Sequence, residues 1–269
     1  MTPVKFGEAS CGGNPEPNFN KIVEEGVETG TIRESGGPVL KDPDNLDSVS
    51  YKRSLVIGTL LGDTYSRGRR AHGKQKAEYR VCHGLSQADY VEWKAQEFNR
   101  LFKVDVKVHH QPQHSRVCFY LSQRRRLRVI HDWFHRNNQK VITDKIRFMD
   151  HPIGLSMLLC DDGSVRKRKK KHRDGTVYYL NPSITIATHN FDLCSVENLL
   201  HHIENLCGAK GCLNPEKRWR AGQLREYNRI NFNIENSRKM WEYVSPFIPQ
   251  IPSMLAKFAF AYERFRIVR

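Results

Sequence analysis

Two apolar segments of helix length, YKRSLVIGTLLGD (51–63) and PIGLSMLLCDD (152–162), each run out on a carboxylate. A basic stretch suited to a two-stranded hairpin follows each of them. The pattern then repeats in order. After the first come an amphipathic helix in SQADYVEWKAQEFNRLF, with Ser86 as expected N-cap, two short strands in VDVKVHH and RVCFYL, and a basic helix in RRRLRVIHDWFHRN. After the second, with Pro152 near the helix start, come a basic hairpin around Asp174-Gly175, a strand in SITIAT, a helix in DLCSVENLLHHIENL, strands over about 215–234, and a helix in NSRKMWEYVSPF. Phe119, Leu121, Leu127 and Phe134 echo Phe232, Ile234, Met240 and Phe247 at a constant offset of 113. The fold class read from this is α+β: two pseudo-symmetric αββαββα units packed through their opening helices, each with an antiparallel sheet. The divisions are 1–50, an acidic irregular arm in which NKIVEEGVE could form a short helix, then 51–150 and 151–269.

Charge narrows the partner. The 269 residues carry 44 Lys and Arg against 29 Asp and Glu, a net +15. The first 50 hold 4 basic and 9 acidic residues, net −5, so the remainder carries +20. An excess of that size repels itself unless an anionic polymer or surface faces it. Nucleic acid is the expected partner, and two-fold pseudo-symmetry matches duplex DNA. No apolar run reaches the ~20 residues of a membrane span, so no membrane partner is expected. The acidic N-terminus has the form of neither a signal nor a transit peptide. Seven cysteines without a C-x-x-C pair read as reduced intracellular thiols, with the compartment left open. A zinc site from His201, His202, Cys207 and Cys212 fits no common finger spacing. Glu92 and Lys94 form an E-x-K, but on a helix, where they read as exposed charge.

The acidic helix ends carry the chemistry. Taken singly, Asp63 or Asp162 could be a solvent-facing turn residue. Gly58 and Gly62, four apart, allow close backbone approach if the two helices cross there. Asp63 and Asp162 then meet at the bottom of the shared interface. Two close carboxylates repel unless a divalent cation separates them or one is protonated. Oxygen ligands with room for water and phosphate suit Mg²⁺, and a metal between carboxylates and phosphate gives in-line phosphodiester hydrolysis.

VIGTLLGDT (56–64) and LSMLLCDDG (155–163) resemble the paired signature of the LAGLIDADG homing endonucleases, in their single-chain, two-domain branch. The resemblance covers about 51–269. It implies that Asp63 and Asp162, 99 residues apart, are the metal-binding acids, with Gly62 and Asp161 contributing at the metal. It also implies a catalytic lysine for each unit, Lys140 in NNQKVIT and Lys257 in PQIPSMLAKF. It further implies a monomer that cuts a long asymmetric site in double-stranded DNA, leaving short 3′ overhangs, in intron homing. Mg²⁺ is the expected cofactor, Mn²⁺ the expected substitute, and Ca²⁺ is expected to support binding without cleavage. The second motif departs from the first, with Met157 in the place of Gly58 and Asp161 in that of Gly62. The alternative on the same fold is an intron RNA maturase or splicing factor, with intron RNA as partner. An intein is disfavoured, since the chain has neither an N-terminal Cys or Ser nor a terminal His-Asn.

Side chains alternate faces along a strand. Counting in twos from each acid puts Tyr65, Arg67 and Arg69, then Ser164, Arg166, Arg168, Lys170 and His172, on one polar face. Tyr79, Val81, Ile184 and Ile186 face the core, with Val165. Glu78, Arg80, Cys82, Ser183 and Thr185 face the other way. Lys76, Arg218, Arg220 and Arg225 complete the expected DNA-contacting set, since Arg reads guanine edges and both Lys and Arg neutralise phosphates.

Overall fold

The computed structural model describes residues 48–71, 74–137, 139–220 and 222–265; the helix considered in NKIVEEGVE lies outside them. The first acid-ended segment is helix α1 (Val49–Leu61), started by Ser48, whose hydroxyl accepts from the Tyr51 amide at 3.0 Å. Strands β1 (Thr64–Ala71) and β2 (Lys74–Gly84), helix α2 (Ala88–Phe102), strands β3 (Val108–Gln111) and β4 (Arg116–Arg124), and helix α3 (Arg125–Phe134) follow. The second pass is helix α4 (Pro152–Asp162), β7 (Gly163–Arg166), β10 (Ser183–Ala187), α5 (Leu193–Cys207), β11 (Gly211–Arg220), β12 (Gln223–Phe232) and α6 (Ile234–Val244). Added to this frame are a two-residue ribbon, β5 (His135–Arg136) with β6 (Gln139–Lys140), a second ribbon, β8 (Lys169–Lys171) with β9 (Val177–Tyr179), and a final helix α7 (Pro252–Arg264).

The two sheets are antiparallel and share one topology. The first has the order β1-β2-β4-β3 and the second β11-β12-β10-β7, the same order read from the other edge. The αββαββα repeat therefore holds in the chain and in space. The offset of 113 holds at Phe119/Phe232 and Leu127/Met240, all buried. It fails at Leu121/Ile234, because β4 continues to Arg124 while β12 ends at Phe232 and helix α6 has begun by Ile234.

Helices α1 and α4 are apolar all round because they are covered all round. Every residue from Ser54 to Leu61 and from Ile153 to Cys160 is buried, the condition in which a helix loses its polar face. The two run side by side in the same direction. Ser54 Oγ accepts from the His151 amide at 3.0 Å near their starts. One turn on, a Cβ at Gly58 would strike the Gly154 backbone, and one at Gly154 would meet the Ser54 carbonyl at 2.9 Å. The glycine facing Gly58 is thus Gly154, not the Met157 position of the motif comparison. Met157 is fully buried, its sulfur 3.7 Å from the Tyr90 hydroxyl.

Two local expectations change. Ser86 lies inside a 3-10 turn (Leu85–Gln87), and α2 starts after it from Gln87 without a side-chain cap. The thiols are not all reduced: Cys82 and Cys118, directly opposite in the β2–β4 register, form a disulfide with Cα atoms 4.2 Å apart. Cysteines 36 residues apart in sequence gave no hint of that register. The zinc set does not assemble, since His202 Nε2 is 3.0 Å from the Met149 carbonyl, while the Cys207 and Cys212 thiols donate to the Ile203 and Asn231 carbonyls. No described helix is long and apolar enough to cross a membrane.

Candidate active site and DNA-facing sheets

Where α1 and α4 end, the chain gathers its carboxylates and two lysines. Gly62 caps α1 and Asp63 follows it, its side chain 47 % exposed. Asp161 and Asp162 form the last turn of α4. Lys140, from the β5–β6 ribbon, donates to the Gly62 carbonyl at 2.5 Å. Lys257, from α7, donates to the Cys160 carbonyl at 2.5 Å and to the Asp161 carbonyl at 3.2 Å. Each motif helix thus ends against an ammonium group, where the negative end of its dipole favours one. Burial lowers the pKa of both lysines, and the surrounding carboxylates oppose that shift.

Asp162 feels the crowding most. Burial first, then the charges of Asp63 and Asp161, raise its carboxyl from 3.8 to about 7. The folded state therefore holds a proton that the unfolded chain releases near pH 4. Its bound-proton excess means that stability falls as pH rises between those two values. We expect Asp162→Asn, measured by thermal unfolding with chelator present, to be close to wild type at pH 4. By pH 8 it should be the more stable by on the order of a few kcal/mol. Equal stabilities at pH 8 would contradict the crowding of this carboxylate.

Asp161 has a different environment. Its side chain is fully buried, in the space that Gly62 leaves by having no Cβ. Oδ1 accepts from Lys94 Nζ at 2.7 Å and from the Tyr90 hydroxyl at 2.9 Å, and Oδ2 accepts from the Asp63 amide at 3.2 Å. Burial alone would raise its pKa, but Lys94, then His83, then the hydrogen bonds hold it below the usual value. His83 stands between the acids, Nδ1 3.7 Å from Asp63 Oδ2 and Nε2 3.7 Å from Asp161 Oδ1. Burial and then Lys94 lower its pKa. Lys94 is accordingly no exposed charge. It is 0 % exposed, while Glu92 faces outward 3.2 Å from His110. Tyr90, Lys94 and His83 escaped the sequence reading because α2 and β2 meet α4 only through tertiary packing. The one signal was an apolar-face position of α2 occupied by lysine.

The sheets present the basic strands as the alternation requires in the first half. Thr64 and Ser66 are buried, whereas Tyr65 and Arg67 are exposed. Arg80 lies opposite both Tyr65 and Tyr120, with its guanidinium 5.6 Å from the Tyr120 ring, and Arg69 stands across from Lys76. Tyr120 is an exposed residue on β4, a strand that the count from Asp63 does not reach. In the second half Ser164 is exposed and its Oγ lies 2.6 Å from Thr185 Oγ1; Arg166 is half-buried opposite Ser183. Ser183 and Thr185 share that face but are themselves buried. The count in twos does not run on through one strand, because β7 stops at Arg166. A string of like charges gains little from continuing a ladder. The chain re-forms instead as the β8–β9 ribbon, with Arg168 just before it. Within the ribbon, Tyr179 meets Phe260 edge-on with the Lys169 ammonium over its own ring, and Lys170 pairs with Tyr178, on which His172 stacks at 4.4 Å. Arg218 is opposite Arg225 and Arg220 opposite Gln223, positions in step with Thr185 through β12.

Paired carboxylates at a helix crossing, beneath two basic antiparallel sheets, define a DNA endonuclease of the two-sheet saddle type. The chain belongs to the LAGLIDADG DNA endonuclease family, whose model matches residues 53–210. The homing endonuclease I-WcaI, solved bound to its DNA recognition sequence, superposes with a TM-score of 0.55 at 18 % identity, covering 83 % of this chain and 95 % of that one. I-DmoI, in a complex with DNA and Mn, gives 0.48 at 12 % identity over 76 % of this chain and 100 % of its own. I-SmaMI, bound to uncleavable DNA, gives 0.47 at 11 % over 78 % and 87 %. No curated protein sequence matches significantly.

Proposed function

We propose that this site-specific endonuclease acts as an intron-homing enzyme, cutting both strands of a long asymmetric duplex with Mg²⁺ and leaving short 3′ overhangs. It works as a monomer, with its two repeats, 51–150 and 151–269, each facing half of the site. What supports this is the crowding of the Asp162 carboxyl by Asp63 and Asp161 where α1 and α4 end, with a half-buried lysine at each helix end. The donor set is all oxygen: two carboxylates plus the Gly62 and Asp161 carbonyls, each with a lone pair beyond the one its lysine uses. Hard divalent cations take such a set, and Mn²⁺ fits it as well. When bound, the cation supplies charge neutralisation at phosphate and an acidified water. The chain's own groups hold the geometry. Asp63 and Asp162 are fixed at helix ends, and Lys140 and Lys257 set positive charge beside the phosphate that cleavage makes more negative.

Tyr65, Arg67, Arg69, Lys76 and Arg80 on the first sheet, and Ser164, Arg166, Arg168, Lys170, His172, Arg218, Arg220 and Arg225 on the second, are the proposed duplex contacts. Their sum should show as a steep salt dependence. Each phosphate neutralised contributes roughly 0.9 to the log–log slope, so we expect a magnitude of at least about 6 in a binding titration with Ca²⁺ present. A flat titration would remove the sheets as the binding surface.

Face assignment is tested by substitution. Arg67→Ala should relax base preference at one local position by about 1–3 kcal/mol, with fold stability changed by no more than about 0.5 kcal/mol. Ile184→Ala, which empties a fully buried site, should cost about 2–5 kcal/mol of stability instead. Profiling both on single-substitution libraries of the target, beside an intron-RNA competitor, reads out the assignment. Uniform weakening at every base would make Arg67 a phosphate clamp, and RNA outcompeting every DNA would favour a maturase.

A further inference from the structure

The two carboxylate centres are not equivalent. Asp161 occupies the position that in the first motif is Gly62, so only one helix end carries a third carboxylate. That carboxylate has two sides. Oδ2 takes the backbone amide of Asp63 at 3.2 Å, and Oδ1 takes Lys94 and Tyr90 at 2.7 and 2.9 Å. Asp63, His83 and Asp161 could each offer a ligand atom within 4.8 Å of the others, the arrangement of a metal site. The Lys94 ammonium already stands against Asp161, both side chains at 0 % exposure. A second cation on that carboxylate would be repelled by a charge that has no route to solvent.

We propose that Asp161, held by Lys94 and Tyr90, is a positioning residue that fixes the Asp63 backbone, and that it makes the two strand cleavages differ. Lys94 takes the place a cation would have, so the Asp161 side chain is an anchor rather than a ligand. Asp63 is exposed and follows directly on the end of α1, so the hydrogen bond its amide donates to Asp161 Oδ2 ties its main chain to the opposing helix. Asp162 has no counterpart, because position 62 has no side chain. His83, its buried Nε2 without a hydrogen-bond partner, lies 3.7 Å from Asp161 Oδ1 and, through Nδ1, 3.7 Å from the Asp63 carboxylate. Loosening the anchor should therefore move Asp63 and leave Asp162 where it is.

The inference rests on the endonuclease reading, and the experiment separates the two. A supercoiled plasmid carrying a target selected from a randomised library, with each strand labelled differently, is cut under single-turnover conditions in Mg²⁺. Asp63→Asn identifies the strand that Asp63 serves. Lys94→Met, and the charge-free pair Lys94→Met with Asp161→Leu (the same branched outline as Asp), are then compared with wild type. Replacing both members of a buried pair by apolar groups commonly preserves the fold. We expect both variants to slow the Asp63-dependent strand by about tenfold to a hundredfold, the scale of a small misplacement of a reacting group. The other strand should be cut at close to the wild-type rate, so that nicked circles accumulate. Equal slowing of both strands, unchanged rates, or slowing of the Asp162-dependent strand would overturn the positioning role. Absence of any cutting by wild type would instead overturn the endonuclease reading.

Discussion

Asp63→Asn or Asp162→Asn is expected to abolish double-strand cleavage while leaving DNA binding within a few-fold of wild type. Each side chain is proposed to hold a cation that stabilises transition-state charge. Effects of that kind are worth several kcal/mol, or about a thousandfold in rate. Binding is proposed to draw on many basic contacts spread over both sheets, none of which the substitution touches. Removing one negative charge from a crowded site should, if anything, ease the approach of phosphate. Gel-shift titration in Ca²⁺ beside a cleavage time course in Mg²⁺ gives both quantities. Full cleavage by the double Asn variant would remove these carboxylates from the chemistry.

The second large effect is structural. Gly58→Val should disrupt the α1–α4 crossing, because its Cβ would meet the Gly154 carbonyl and backbone rather than the end of a flexible side chain. Neither helix can give way easily, since both are buried along most of their length. Overpacking a core usually costs about 1–3 kcal/mol, and a backbone clash between two buried helices should fall at the top of that range or above it. Misplacing the helix ends would also separate Asp63 from Asp162, so cleavage should fall with stability. Denaturant unfolding of the variant, beside wild type, reads the first. A wild-type midpoint would mean that the helices do not pack through Gly58.

How far the sequence led depends on which forces were local. The acid-ended helices and the alternation of Thr64, Tyr65, Ser66 and Arg67 were legible, and the resemblance of the two motifs pointed to Lys140 and Lys257. Period, charge and motif spacing are written along the chain. What was not legible arises across it. Gly154, rather than position 157, faces Gly58, because a helix crossing compares surfaces and not motif columns. Lys94 read as exposed because an E-x-K on a helix is usually solvated. Only the packing of α2 against the end of α4 shows that it meets Asp161. The break of the second basic strand after Arg166 likewise depends on the new ribbon that Tyr178, Tyr179 and Phe260 support. Helix α7, too, went unassigned in the sequence, although its PSMLAKF segment supplied Lys257.

The most direct measurement is cleavage of a randomised double-stranded DNA library by the wild-type chain, with and without Mg²⁺, sequencing the ends produced. The expected result is a single long, asymmetric consensus, cut on both strands with short 3′ overhangs, in Mg²⁺ and not in chelator. Ends without a consensus, or the same cleavage in chelator or from the Asp63→Asn/Asp162→Asn double variant, would contradict a metal-dependent, site-specific endonuclease built on these two carboxylates.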